Sequence, residues 1–141
     1  MLNLFNPPAK GSVGSVIPGE TMERISFKVS EFPAHRGITL VSVKGLIDTL
    51  TAVDFQEKFL SILAEKKFKL VVDLKDVNYI SSAGWGVFIS EIKRIRAQKG
   101  DLILSGMTPE VMEIFELLGF DTFLKAFPNV ESAVQKGFEK S

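Results

Sequence analysis

The sequence predicts an α/β domain built on a mixed, mostly parallel sheet, and three observations carry that expectation. Two short apolar runs, Leu70-Val71-Val72 and Leu102-Ile103-Leu104, have the length and branching of strands covered on both faces. Amphipathic helical stripes lie between and after them, so strands and helices alternate, which implies parallel pairing through right-handed crossovers. Two segments with period-2 alternation precede the first helix and can add an antiparallel edge.

Along the chain, residues 1–22 read as a flexible tail and 23–141 as the folded domain. The tail carries Pro7, Pro8, Gly11, Gly14, Pro18 and Gly19 without any period, a composition that cannot bury enough to offset its ordering entropy. Leu2, Leu4 and Phe5 are the one candidate docking motif within it. Order is expected from Met22. Ile25, Phe27 and Val29 alternate as a first strand, Pro33 and Gly37 bracket a turn, and Ile38 to Val43 form a second strand that Gly45 ends. Thr51 with Asp54 resembles a capping box, and Ala52, Phe55, Phe59, Ile62 and Leu63 then share one helical face. After the strand at Leu70, a second stripe runs through Trp85, Phe88, Ile89, Ile92 and Ile95 to a stop at Gly100. Beyond the strand at Leu102, Thr108 and Pro109 open a third helix and Gly119 stops it, with Val111, Ile114, Phe115 and Leu118 as its buried face. Phe123–Phe127 suggests a short last strand, and Asn129 a cap for a helix carrying Val130, Ala133, Val134 and Phe138.

Composition narrows the function. The length of 141 residues suits one domain with one core. Seventeen basic residues balance seventeen acidic ones, which argues against a nucleic-acid binder. Cysteine is absent, so no disulfide framework or thiolate metal site can form, and a reducing compartment fits. No apolar run reaches the roughly 18 residues of a membrane helix, and the start lacks a signal-peptide pattern, so a cytoplasmic protein without membrane insertion is expected.

The densest local feature is Tyr79-Ile80-Ser81-Ser82-Ala83-Gly84-Trp85-Gly86, between a buried strand and an amphipathic helix. In α/β folds, functional groups gather in such loops at the carboxyl ends of parallel strands. Ser81 or Ser82 is placed to cap the helix, and Ala83 and Gly84 add no bulk, leaving a serine reachable. Glycine in a first helical turn costs about 1 kcal/mol relative to alanine. Gly84 and Gly86 therefore mark either tight internal packing or a surface that something must approach closely.

Three separated patches resemble one family. Val72-Asp73-Leu74, Val77 and Ile80-Ser81-Ser82-Ala83-Gly84-Trp85-Gly86-Val87 are similar to the core motif of the STAS domain, found in anti-sigma-factor antagonists. Gly45-Leu46-Ile47-Asp48 resembles that family's Gly-Glu-Leu-Asp, and Glu116-Leu117-Leu118-Gly119-Phe120, followed by Phe127 and Ala133, its C-terminal Glu-Leu-x-Gly-Leu region. The resemblance spans roughly residues 23–139 and implies a STAS-like single domain with about four helices packed mainly on one side of the sheet. It places the phosphorylated serine on Ser82 and brings Asp48 near it. Ser81 stands where the family usually has an acidic residue, which makes Ser81 an alternative site of modification. A partner-binding surface of Asp48, Ser81, Ser82, Ala83, Gly84 and Trp85 follows, with Trp85 at or beside it and its ring partly buried, against the competing reading of pure core packing.

The implied function is binding of a regulatory serine kinase of the anti-sigma type, gated by phosphorylation and reset by a cognate phosphatase. No catalytic residue, cofactor or metal is assigned, and the oligomeric state is expected to be a monomer or weak dimer. The runner-up is an unphosphorylated STAS subunit of a transporter or signalling scaffold; a small serine-dependent enzyme is the third reading. His35, the only histidine, reads as an exposed turn residue, and no Gly-x-Ser-x-Gly elbow or phosphate-binding glycine loop is present. Asp48, Asp73 and Asp76 read as caps and turns rather than metal ligands. Lys93, Arg94, Arg96 and Lys99 read as a solvated face near a helix C-terminus, with a basic docking surface as the alternative.

Overall fold

A computed structural model describes residues 24–32 and 37–138. Strands β1 (Ile25–Glu31), β2 (Ile38–Ile47), β3 (Lys69–Ile80), β4 (Asp101–Ser105) and β5 (Lys125–Phe127) form one sheet in chain order. β1 pairs antiparallel with β2, and the other three pairings are parallel. Helices α1 (Thr51–Ala64), α2 (Ser82–Ala97) and α3 (Pro109–Leu117) each connect one parallel strand to the next, and α4 (Val130–Lys136) follows the last strand. The sheet grows in one direction, so crossovers of a single hand must put α1, α2 and α3 on the same face. α4 has no strand to return to, and it covers the other face.

The strand alternation shows this division. Leu70, Val72 and Leu74 of β3 join the core beneath α1–α3, while Val71 and Ile103 pack with Ala133 and Val134 of α4. The expected mixed sheet with helices mainly on one side is therefore observed. The first-face core is aromatic: Phe55 lies 4.9 Å from Phe59 and 5.1 Å from Phe88 between ring centroids, in edge-on geometry. The tail, with Leu2, Leu4 and Phe5, lies outside the described residues, as do Pro33 and His35.

Three local expectations are corrected. Gly45 does not end the second strand, which continues to Ile47. Gly45 instead sits in a bulge with φ of 123°, where a Cβ would lie 2.1 Å from the Arg24 carbonyl oxygen, so the strand needs glycine to stay paired there. β3 runs 12 residues, well past its apolar run, because Leu74, Val77 and Ile80 keep its inner face buried. On α3, only Val111 and Phe115 are buried; Ile114 is 41% and Leu118 54% exposed. α3 has nine residues and packs against β3, while β4 ends at Ser105, so only a narrow i, i+4 line of the helix meets the core. The converse surprise is Glu91, buried within the stripe of α2 with the Arg94 guanidinium 3.5 Å away.

Candidate functional site

The end of β3 delivers Ser81 and Ser82 to the start of α2. Ser81 is the N-cap: its backbone is extended, its hydroxyl accepts the Gly84 N–H at 3.2 Å, and its carbonyl accepts the Trp85 N–H at 3.0 Å. Its own N–H donates to the Ile47 carbonyl at 2.7 Å, fastening the loop to the last residue of β2. Ser81 is buried as a result, whereas Ser82, the first helical residue, is exposed and its hydroxyl takes no part in the cap. The first turn of α2 carries no acidic side chain of its own to offset the positive end of its dipole.

The two glycines separate into the two roles left open by the sequence. A Cβ on Gly84 would lie 2.6 Å from Ile47 Cγ2 and 2.8 Å from Ile80 Cγ2, so Gly84 seats the helix on the ends of β2 and β3. A Cβ on Gly86 would meet nothing within 4 Å. Gly86 lies one turn after Ser82 and leaves bare backbone open to an approaching molecule.

Asp48 is at the same corner, because Ile47 pairs with Ile80 and binds Ser81. The capping expectation at Thr51 is corrected here. α1 starts at Thr51 as expected, but the acceptor is Asp48, whose carboxylate takes the N–H groups of Leu50 at 3.0 Å and Thr51 at 2.9 Å. The Thr51 hydroxyl reciprocates by accepting the Asp48 N–H at 2.8 Å and donates to the Leu46 carbonyl at 2.7 Å. The box is thus Asp48 with Thr51, three residues upstream of the pair Thr51 and Asp54. Arg24 also pairs with the Asp48 carboxylate, a partner that no sequence signal announced.

The backbone N–H of Thr51, with its hydroxyl and Arg24, holds the Asp48 carboxyl below its ordinary value of 3.8, against the opposing effect of desolvation. A depressed folded-state value means that the stabilisation is complete above 3.8 and is lost as pH falls through the lower folded value. Denaturant midpoints measured from pH 5 down to pH 2 should therefore fall less steeply for Asp48→Asn than for the parent. Parallel acid profiles would show that the cap contributes through geometry alone.

The expected partial exposure of the Trp85 ring is corrected, although Trp85 does line the groove at this corner. Its ring is 2% exposed and packs 5.9 Å from Phe88, 5.9 Å from Phe115 and 5.1 Å from Phe120, so it is a core residue and not a half-exposed one. The inward face of α2 carries it toward α3, and the competing expectation of core packing is the one observed. A groove of about 450 Å3 opens beside it, lined among others by Tyr79, Ser81, Ser82, Ile114 and Leu118. Ile114 and Leu118, whose spacing predicts burial, surface in this groove instead.

Three of the remaining charged candidates, Asp73, Arg94 and Arg96, are locally engaged. Asp73 accepts the Lys75 N–H at 3.1 Å and pairs with its ammonium at 2.7 Å, a contact that raises the Lys75 value. Asp73 therefore binds Lys75 within its own strand rather than joining Asp48. Among the described residues, no group of His, Cys, Asp and Glu is arranged to hold a metal ion, and no helix is long and apolar enough to cross a membrane. On α2, Arg94 faces Glu91, and Arg96 binds Asp101 at 3.0 Å and the Phe123 carbonyl at 2.7 Å.

Comparison with known proteins agrees with this geometry. Among curated proteins, the chain is 33% identical over 95 residues to an anti-sigma-B factor antagonist of Bacillus subtilis, covering 67% of this chain and 86% of that one. Among solved structures, an anti-sigma factor antagonist from Mycobacterium paratuberculosis superposes with a TM-score of 0.70 at 24% identity, covering 79% of this chain and 92% of that one. The Bacillus cell fate determinant SpoIIAA, in its phosphorylated form, superposes with a TM-score of 0.60 at 15% identity, covering 79% and 99%. The family model of the STAS domain matches residues 30–133, which includes all of the sheet from β2 onward and the serine corner, and the chain belongs to the STAS domain family.

Proposed function

We propose that this protein is a phosphorylation-switched anti-sigma-factor antagonist of the cytoplasm, which works by binding and not by turnover. The partner is a regulatory serine kinase of the anti-sigma type, held through Ser82 and the surrounding corner and released when Ser82 is phosphorylated; a cognate phosphatase reverses the switch. The observation that carries the reading is the division of labour between two adjacent serines. Ser81 is buried and spends its hydroxyl on the helix cap, while Ser82 stands exposed on the first turn with its hydroxyl unused by the fold. That contrast supports Ser82 rather than Ser81 as the acceptor.

The chemistry of the corner suits a switch. A phosphoserine adds close to two negative charges at neutral pH. The N–H groups and dipole of the first turn, which holds no acidic side chain of its own, favour an anion there, so the domain itself tolerates the modification. A partner docked on the corner must desolvate the added charge, at a cost of several kcal/mol where no matched cation meets it. Refolding is not required. The curated relative from Bacillus subtilis carries the name of such an antagonist, and the fold is known in a phosphorylated form in SpoIIAA. The test is to purify the chain's kinase from the native cell, incubate it with this protein and ATP, and locate the phosphate by mass spectrometry. Phosphate on Ser82 is the expected result; phosphate on Ser81 alone, or none, overturns the assignment.

The same reading treats residues 1–22 as outside the folding unit. A chain starting at Met22 should unfold at the same denaturant midpoint as the full chain, and a large drop would make the tail part of the core.

A further inference from the structure

We propose that the groove between the first turn of α2 and α3 is the specificity pocket of this surface, and that it receives an apolar side chain of the kinase flanked by lysine or arginine. The proposal rests on the functional reading above and adds the residues and partner chemistry that it leaves open. Ser82 lines this groove together with Tyr79, Ile114 and Leu118, which are 50%, 41% and 54% exposed. Other large apolar side chains are exposed elsewhere on the domain, Leu50, Leu117 and Phe123 among them, but these three converge on one concavity, which marks a contact surface rather than scatter. The rim on the α3 side is acidic: Glu110 and Glu113 both line the groove and both are exposed. Apolar floor and acidic rim together fit an apolar residue with cations beside it.

Two other occupants fit less well. In a symmetric dimer built on this groove, Glu110 and Glu113 of one copy would face the same carboxylates of the other near the axis, which is repulsive. The chain's own residues 1–23 contain one cation, Lys10, against Glu20 and Glu23, so they offer the rim no net positive charge. A separate cationic partner is what remains. The arrangement also sharpens the switch: the partner's cations are matched to Glu110 and Glu113, so a phosphate on Ser82 enters the same groove with no counter-charge left for it.

The experiment uses the full chain and a catalytically inactive form of the kinase that phosphorylates it. Three variants are titrated against the parent at low and high salt: Ile114→Ser with Leu118→Ser, Glu110→Lys with Glu113→Lys, and Ser82→Asp. Thermal melts check that each is folded, and the substituted groove side chains are exposed or half-exposed. The apolar and charge-reversed pairs should each weaken binding at least tenfold, the charge reversal more at low salt. If both pairs bind like the parent while Ser82→Asp does not, the groove assignment is overturned and the switch stands. If Ser82→Asp also binds like the parent, or no kinase binds at all, both fall. Sedimentation showing a dimer that Ile114→Ser dissolves, or tighter kinase binding after removal of residues 1–21, would put a different occupant in the groove and overturn the proposal.

Discussion

Trp85→Ala should cost about 3–5 kcal/mol of unfolding free energy, the range for truncating a large buried aromatic. The ring is 2% exposed and touches Phe88 of its own helix, Phe115 of α3 and Phe120 of the 3-10 turn at Phe120–Thr122, so it joins three segments of the core at once. A domain of ordinary stability has roughly 5–15 kcal/mol in total, so the variant should be marginal at 37 °C. Urea unfolding followed by far-UV circular dichroism measures the loss without relying on the deleted fluorophore. A change under about 1 kcal/mol would mean that the ring is not the packing element described. Trp85→Phe is the informative companion. The indole Nε1 is buried with no hydrogen-bond partner, and an unsatisfied buried donor costs about 1–3 kcal/mol. Phenylalanine removes that donor while keeping most of the aromatic contact, so the loss should be much smaller than for alanine.

The element order was legible because each element announces itself by period and punctuation. Phe55, Phe59, Ile62 and Leu63 fall on one helical line, Leu70–Val72 and Leu102–Leu104 are branched and continuous, and Thr108 and Asn129 cap as their positions require. What stayed hidden depends on what lies across the gap. Thr51 was a plausible cap by its own neighbours, and only the closing of the loop brought Asp48 into bonding range. Gly45 reads as a stop because a strand bulge and a strand end ask for the same residue. Ile114 and Leu118 sit on a regular apolar stripe, but periodicity reports which residues share a face and not how wide a surface awaits them. Beside the short β4, that surface is too narrow for four. Trp85 went the other way, since its place next to the serine loop suggested the rim while its helical phase points inward.

The switch itself was the most sequence-dependent expectation, and its decisive test separates the two serines. Ser81→Ala deletes the side-chain acceptor for the Gly84 N–H and should cost about 1 kcal/mol of stability. Ser82→Ala deletes a hydroxyl that the fold does not use and should leave stability within about 0.5 kcal/mol. Ser82→Asp should also fold normally, because a carboxylate at the first position of α2 suits a dipole that no acidic side chain in that turn offsets. Binding to the kinase should follow a different order. Ser82→Ala adds nothing to desolvate and should bind like the parent. Ser82→Asp carries one negative charge into the interface and should lose on the order of 100-fold or more, since each 1.4 kcal/mol is a factor of ten. Phosphate, with nearly twice the charge and more bulk, should lose more than the aspartate. The three variants are to be melted and titrated side by side. Ser82→Asp binding with the parent's affinity would end the assignment of Ser82. A melting loss at Ser82→Ala as large as at Ser81→Ala would show that the two hydroxyls share the cap.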